Sequence, residues 1–105
     1  MDDSTEMTVA EVFLKALYDH GIEYIFANAG TDFAPIIEAL VTASQKGNPT
    51  PKFLTVPHEN VAISMAQGYY RIVGKPAGVM VHVTVGTANT ICGLMNSSRD
   101  NVPTL

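Results

Sequence analysis

The chain has 105 residues, of which 47% are hydrophobic and 15% are charged, and its formal net charge is −4. This composition supplies a core for one ordinary domain and excludes an intrinsically disordered chain. The six Lys and Arg residues are scattered and form no basic stripe, so we predict that the protein binds no nucleic acid. One cysteine, Cys92, excludes an intramolecular disulfide and a cysteine-rich zinc site.

The sequence also carries no recognisable targeting or membrane signal. Residues 1–6 are acidic and polar, whereas a secretory signal begins with a cationic segment. No apolar run approaches the roughly 20 residues that a membrane span requires. We therefore expect a cytoplasmic protein with no membrane contact.

The first predicted element is a helix that begins at Val9. Thr8 and Glu11 have the spacing of a capping box, in which each side chain accepts a hydrogen bond from the other residue's backbone N–H. Gly21 suits the left-handed conformation that commonly follows the last turn of a helix. A short apolar segment over residues 22–27 then predicts a buried strand.

A second helix and a second strand follow. Residues 34–45 predict the helix, with Thr31 or Asp32 as its N-cap and Pro35 in its first turn, where a missing N–H does no harm. Residues 52–56 are bounded by prolines and predict the strand.

The same alternation continues in the second half of the chain. Residues 58–73 predict a third helix, and residues 77–83 predict a third strand whose apolar sequence is typical of burial on both faces. Residues 87–98 predict a fourth helix, and residues 102–105 have the character of a strand that is just beginning.

This order of elements predicts an α/β fold with a doubly wound parallel sheet and helices on both faces, which is a three-layer α/β/α arrangement. The crossovers between parallel strands are expected to be right-handed. Because the chain ends where the fourth strand starts, we expect residues 1–105 to form one domain that is truncated at its C-terminal end.

The candidate functional residues follow from the topology. Ligands of open α/β sheets bind outside the carboxyl ends of the strands, which selects the polar segments 28–31, 58–60 and 82–89. Within them, Glu59 is a carboxylate in the first turn of the third helix and is suited to acid–base work on a bound cofactor. We expect burial to raise the pKa of Glu59.

Each candidate also has a purely structural interpretation, which the residues alone leave open. Glu59 can complement the helix dipole, His82 can be a hydrogen-bonded core group, and Thr31 can serve only as an N-cap. Gly86 and Asn89 can form a tight turn and a cap. The sequence motifs of dinucleotide-binding domains, zinc proteases and P-loops do not occur.

Taken together and in this order, the polar segments resemble the N-terminal pyrimidine-binding domain of thiamine-diphosphate-dependent enzymes. Residues 26–30 resemble the F-G-x-P-G turn of that family, and residues 58–69 resemble its H-E-x-x-A…A-D-G-Y-A segment. Residues 86–89 continue the similarity, which covers the chain from about Thr8 to Leu105.

Within the family, the sequence is most similar to benzoylformate decarboxylases. Asn28, Thr31 and His82 stand where those enzymes have Asn, Ser and a catalytic His. Two further departures are Ala29 in place of Pro and Ala88 in place of Gly. These departures affect the expected substrate more than the expected cofactor.

The resemblance implies a role for each of these residues. Glu59 would hydrogen-bond N1′ of the aminopyrimidine of thiamine diphosphate and so promote removal of the C2 proton. His82 would relay a proton near the reacting carbon, and Thr31 would hold the substrate carboxylate. The cofactor pocket would also be lined by Asn28, Ala29, Gly30, Gly86 and Asn89.

The resemblance also implies a second domain. Family members hold the diphosphate and Mg²⁺ with a G-D-G…N motif, which is absent from this sequence, so we expect no metal ligand here. That domain would come from another subunit of a homo-oligomer or from a missing C-terminal region. This chain alone would then hold half a site and be inactive.

The leading hypothesis is therefore the N-terminal part of a thiamine-diphosphate-dependent 2-oxo acid decarboxylase. The first alternative is a carboligase similar to acetolactate synthase, which uses the same cofactor. A non-catalytic partner subunit and an unrelated doubly wound domain are the remaining alternatives, and the presence of Glu59 argues against the former.

Overall fold

A computed structural model describes residues 6–105. In that part of the chain, four α-helices alternate with three β-strands, and a short 3₁₀ turn at Thr31–Phe33 precedes the second helix. In chain order the elements are α1 (Val9–Asp19), β1 (Tyr24–Ala27), α2 (Ala34–Lys46), β2 (Lys52–Thr55), α3 (Glu59–Val73), β3 (Gly78–Met80) and α4 (Val83–Arg99).

The first strand, β1, lies at the centre of the sheet, whose strand order is β2-β1-β3. Both pairings are parallel, and Ile25 of β1 stands opposite Phe53 of β2 and Gly78 of β3. Parallel neighbours need a crossover connection, which α2 provides between β1 and β2 and α3 between β2 and β3. The predicted α/β fold with a parallel sheet is confirmed.

Helices lie on both faces of this sheet, as predicted. Successive side chains of a strand point to opposite faces, so neighbouring residues of β1 contact different helices. Phe26 of β1 belongs to a core cluster with Ala62 of α3. Its neighbour Ile25 lines a cavity with Phe13 and Leu17 of α1 on the other face. The outer packing is pairwise, since α1 contacts α2 and α3 contacts α4.

The main core cluster fixes the position of α3, the helix that begins at Glu59. Alanines supply three of its five buried members, so the backbone of α3 can lie close to the sheet. Tyr24 and Tyr69 close its margin with rings that meet edge to face, 5.4 Å between centroids. The buried members are Phe26, Val56, Ala62, Ala66 and Ala77.

The ends of α1 form as the sequence predicts. The Glu11 backbone N–H donates to Thr8 Oγ1 at 3.2 Å, and the Thr8 backbone N–H donates to Glu11 Oε2 at 2.7 Å. This reciprocal pair is the predicted capping box. At the other end, Gly21 has a φ of 86°, the left-handed conformation that glycine adopts without strain.

The prediction for the third strand and fourth helix is partly wrong. β3 ends at Met80, and α4 begins at Val83 instead of Thr87, so His82 is the N-cap residue of a helix and not a strand residue. The Gly86 backbone N–H donates to the His82 carbonyl at 3.0 Å and closes the first turn of α4. The β-branched run suggested a longer strand, but this local turn prevails over residue propensity.

The predicted cap of α2 is also wrong. Thr31 and Asp32 form the 3₁₀ turn, and the N-cap position of α2 belongs to Phe33. The Asp32 carboxylate is instead bound to His82. Pro35 does lie in the first turn of α2, as predicted.

The segment after α4 returns to the sheet. The Leu105 backbone N–H donates to the Ala77 carbonyl at 3.2 Å, and its carbonyl accepts from the Val79 N–H at 2.9 Å. These two bonds place residue 105 beside β3, where a fourth strand was predicted to begin, although no regular strand forms over residues 102–105. Among residues 6–105, no helix is both long and apolar enough to cross a bilayer.

Candidate cofactor site at the carboxyl ends of the strands

Asn28 ties the three strands together where they end. Its backbone N–H donates to the Met80 carbonyl of β3 at 2.9 Å. Its side-chain amide donates to the Val56 carbonyl, just after β2, at 3.0 Å. The predicted pocket residue Asn28 is thus a brace that holds the rim of the sheet in register.

Glu59 lies at this rim as the first residue of α3. The His58 side chain caps the helix by accepting a hydrogen bond from the Asn60 backbone N–H, 3.0 Å from Nδ1. The Glu59 side chain is only 9% exposed, and its Oε2 accepts a hydrogen bond from Asn89 Nδ2 at 2.7 Å. Two predicted site residues from different helices are therefore in direct contact.

The ionised form of Glu59 is favoured. The amide of Asn89 lowers the pKa of Glu59 below its ordinary value, and this outweighs the desolvation that acts in the opposite direction. Burial does act to raise this pKa, but the expected net increase is wrong, because the sequence did not reveal a hydrogen-bond donor facing the carboxylate. Within residues 6–105, no side chain other than Asn89 donates to this carboxylate.

The contact between Glu59 and Asn89 depends on the close approach of α3 and α4. The buried face of α4 consists of small residues, and one of them, Gly93, lies against Ile63 of α3. A Cβ added at Gly93 would stand 2.0 Å from Ile63 Cγ2. Sequence reasoning missed Gly93, although the i, i+4, i+7 and i+11 spacing of small residues was visible. Those residues are Gly86, Thr90, Gly93 and Ser97.

His82 occupies a second part of the rim, after β3. Its Nδ1 lies 2.7 Å from Asp32 Oδ1, in the turn that follows β1. The imidazole also covers Gly30, where an added Cβ would stand 2.4 Å from the ring. Sequence reasoning selected Gly30 and His82 but treated Asp32 only as a possible cap.

The remaining predicted site residues take less specific positions. Ala29 and Thr31 are exposed in the loop and turn after β1. Gly86 is buried in the first turn of α4, where an added Cβ would stand 3.1 Å from Val81 Cβ. Gly86 therefore serves the packing of that turn, and Thr31 stays an untested candidate for substrate binding.

This geometry places an ionised carboxylate, its amide partner and a histidine at the carboxyl ends of a parallel sheet. The chain also matches, over residues 7–105, the family model described as the thiamine pyrophosphate enzyme, N-terminal TPP binding domain. The chain belongs to this family. The predicted resemblance to thiamine-diphosphate-dependent enzymes is thereby confirmed.

Curated relatives of this thiamine pyrophosphate enzyme domain are acetolactate synthases. The large subunit from Haemophilus influenzae is 33% identical over 98 residues, covering 93% of this chain and 16% of that protein. The large subunit from Buchnera aphidicola (Acyrthosiphon pisum) is 34% identical over 94 residues, covering 90% of this chain and 16% of that protein. The Bacillus subtilis acetolactate synthase is 30% identical over 94 residues, covering 90% and 15%.

These matches correct the narrower part of the predicted resemblance. The relatives are acetolactate synthases and not specifically benzoylformate decarboxylases, which favours the alternative over the leading hypothesis. The chain spans about one sixth of their length, 16% of the Haemophilus influenzae protein.

The residues present fit the aminopyrimidine part of thiamine diphosphate. A nearly buried carboxylate with a single side-chain donor can accept a further hydrogen bond from a protonated ring nitrogen. Within residues 6–105, no three His, Cys, Asp or Glu side chains cluster closely enough to hold a metal ion.

Proposed function

We propose that this chain is the N-terminal part of a thiamine-diphosphate-dependent enzyme acting on 2-oxo acids, and that Glu59 binds the aminopyrimidine of the cofactor. The observation that carries this proposal is the nearly buried, ionised Glu59 held by Asn89 at the rim of the sheet. When bound, the cofactor would supply a nucleophilic thiazolium carbon for chemistry at a carbonyl group.

In this proposal Glu59 controls one proton. A carboxylate with a lowered pKa is ionised at neutral pH, so it accepts a hydrogen bond from a protonated aminopyrimidine nitrogen and stabilises that proton. Asn89 keeps the carboxylate oriented while this happens. A buried setting strengthens the interaction because little water competes for the carboxylate.

Within this class, we propose a carboligase that joins two 2-oxo acids, as the name acetolactate synthase implies for the relatives. A 2-oxo acid decarboxylase is the second candidate. It is favoured by His82, since a decarboxylase needs a proton donor at the reacting carbon and this imidazole lies at the rim. Thr31 would then bind the substrate carboxylate.

We further propose that a second domain completes the site with the diphosphate and Mg²⁺ ligands, supplied by another subunit of a homo-oligomer or by a C-terminal region. The surface beside Asn89 supports this. Helix α4 has no charged residue from Val83 to Ser98, and it exposes Val85, Ile91 and Met95 by 67%, 48% and 52%. Such an apolar helix face fits coverage by protein. On this proposal, residues 1–105 alone are inactive.

The test is Glu59→Gln in the complete enzyme, because glutamine keeps the shape and removes the negative charge. We expect kcat with pyruvate to fall at least ~10²-fold, while the dissociation constant of thiamine diphosphate changes much less. Glu38→Gln, at an exposed position of α2, is the matched control and should leave kcat unchanged. Unchanged turnover in Glu59→Gln would remove Glu59 from the mechanism.

Product analysis separates the two candidates. With pyruvate as substrate, the carboligase proposal predicts acetolactate as the main product, whereas the decarboxylase candidate predicts an aldehyde and CO₂. An aldehyde as the main product, from pyruvate or benzoylformate, would reverse our order of preference.

A further inference from the structure

The pair formed by His82 and Asp32 is a feature that the proposed function does not explain. The two residues are 50 positions apart and follow β3 and β1, which are neighbours in the sheet. Their contact, 2.7 Å between Nδ1 and Oδ1, therefore depends on the strand order. A local helix-capping role does not account for it, since the N-cap position of α2 is Phe33.

The imidazole of His82 is constrained on two further sides. Gly30 lies against the ring, and an added Cβ there would stand 2.4 Å from both Cγ and Nδ1. The Phe33 ring, which is buried, meets the imidazole nearly perpendicularly, with 6.4 Å between centroids and an interplanar angle of 83°. Asp32, Gly30 and Phe33 all belong to the segment after β1, so one loop fixes the ring.

The backbone beside His82 is strained. Val83 has a φ of 49°, which is unfavourable for a β-branched residue and occurs at the point where the chain turns from β3 into α4. Strain of this kind persists where the surrounding structure over-determines the conformation, and it concentrates at functional sites. Val83 directly follows His82, so the strained turn lies beside the residue that carries the imidazole.

We infer that Asp32 is the positioning residue of His82. In the neutral imidazole, the carboxylate accepts the N–H of Nδ1 and so selects one tautomer, which leaves Nε2 as the nitrogen that takes up and returns a proton. The same contact holds the plane of the ring. This inference rests on the proposed cofactor site and on the role of His82 as a proton donor at the rim, which the decarboxylase candidate uses. It assigns to Asp32 a role that acts only through His82.

The direct test is the tautomer of His82 in the holoenzyme, read from ¹⁵N NMR after histidine labelling. The His82 signals are assigned by their loss in His82→Gln, and spectra are taken at alkaline pH. In the wild type we expect the proton on Nδ1. In Asp32→Ala we expect a mixture with the Nε2-protonated tautomer. A wild-type ring protonated on Nε2 would overturn the inference.

Kinetics supply the second readout. We expect Asp32→Ala to lower kcat at least ~10-fold with KM for the 2-oxo acid nearly unchanged, since a positioned acid or base contributes ~10²–10⁴-fold. Asp32→Asn keeps a hydrogen-bond acceptor and should lie between Asp32→Ala and wild type. Asp19→Asn removes an exposed aspartate that pairs with Lys15 on α1, and it should change neither kcat nor the His82 signals.

The outcomes separate this inference from the function on which it rests. If Glu59→Gln loses activity while Asp32→Ala keeps both its kcat and its His82 tautomer, the inference is wrong and the proposed function stands. If Glu59→Gln stays active, the proposed function fails, and the NMR measurement alone decides whether Asp32 sets the tautomer. Gly30→Ala is the second variant: it should disturb the same signals with Asp32 intact, and undisturbed signals would count against the described geometry.

Discussion

Two glutamates, Glu11 and Glu59, occupy similar places in the fold but have different surroundings. Both lie in the first turn of a helix, both are nearly buried at 7% and 9% exposure, and both have a lowered pKa. The Glu11 oxygens are both engaged, Oε2 by the Thr8 N–H at 2.7 Å and Oε1 by Lys46 Nζ at 3.3 Å. In the described chain, the only side chain that donates to Glu59 is that of Asn89.

The difference distinguishes a carboxylate that is engaged within the fold from one that is proposed to bind the cofactor. Glu11 completes a capping box and an ion pair within the chain, so its charge is used in the fold. Glu59 is held by a neutral amide, and no Lys or Arg of residues 6–105 pairs with it. Burial, helix position and pKa direction are nearly the same for the two groups, and the charge of the side-chain partner, cationic for Glu11 and neutral for Glu59, distinguishes them.

The largest expected effect comes from replacing each of these two glutamates by glutamine. Glu59→Gln should cost the complete enzyme at least ~10²-fold in kcat and lower its melting temperature less than Glu11→Gln does, because glutamine can still accept the hydrogen bond of Asn89. Glu11→Gln should show the opposite pattern, a lower melting temperature with kcat retained below that temperature. Thermal unfolding and steady-state kinetics on both variants check the comparison, which collapses if the two patterns coincide.

The next effect concerns the packing that brings Asn89 to Glu59. Gly93→Ala places a methyl group 2.0 Å from Ile63 Cγ2, and we expect a loss of about 1–3 kcal/mol in the free energy of unfolding. Gly68→Ala in α3 is the control. An added Cβ there meets no atom of the described chain within 4 Å, so it should stabilise the helix by about 0.5–1 kcal/mol.

A double-mutant cycle tests whether the loss of stability in Gly93→Ala arises from contact with the Ile63 side chain. Ile63→Ala removes the side chain that the new methyl group would strike, so it should be less harmful in the Gly93→Ala background than in the wild type. Urea unfolding of the four proteins measures this coupling. Simple additivity would show that the cost of Gly93→Ala arises elsewhere.

Features that depend on a few neighbouring residues were predictable from the sequence. The capping box of Thr8 and Glu11 involves only the first turn of α1, and the left-handed Gly21 follows from its position after that helix. Glu59 was also selected correctly for the rim, because the alternation of elements fixes which ends of parallel strands meet.

Features that depend on contacts between elements were not predictable. The Asp32 contact to His82 requires β1 and β3 to be neighbours, which the chain order alone does not specify. The lowered pKa of Glu59 depends on a donor 30 positions away. The start of α4 at Val83 was missed because valines favour strands, while the observed turn relies on an unusual φ of 49°.

A smaller effect tests the cap on the structural side of the comparison. Thr8→Ala removes the hydroxyl that accepts the Glu11 N–H, which should lower the free energy of unfolding by about 1 kcal/mol. Thr8→Ser keeps that hydroxyl and should retain most of the stability. Equal stability of the alanine and serine variants would mean that the cap contributes nothing measurable.

The smallest effect is a dependence of stability on acid pH, and it measures what the lowered pKa values of Glu11 and Glu59 contribute to folding. A carboxyl group whose pKa is lower in the folded than in the unfolded chain adds stability above its ordinary value of 4.5, and this contribution is lost as the pH falls further. Glu23 acts in the same direction because Lys75 lowers its pKa. The melting temperature should therefore decrease as the pH falls below about 4.5.

The difference in melting temperature between Glu11→Gln and wild type should shrink over that range, because protonation removes from the wild type the charge that the variant already lacks. A deficit that stays constant from pH 7 down to about pH 3 would show that the charge of Glu11 adds nothing to the cap, and the contrast with Glu59 would then rest on hydrogen-bond geometry alone.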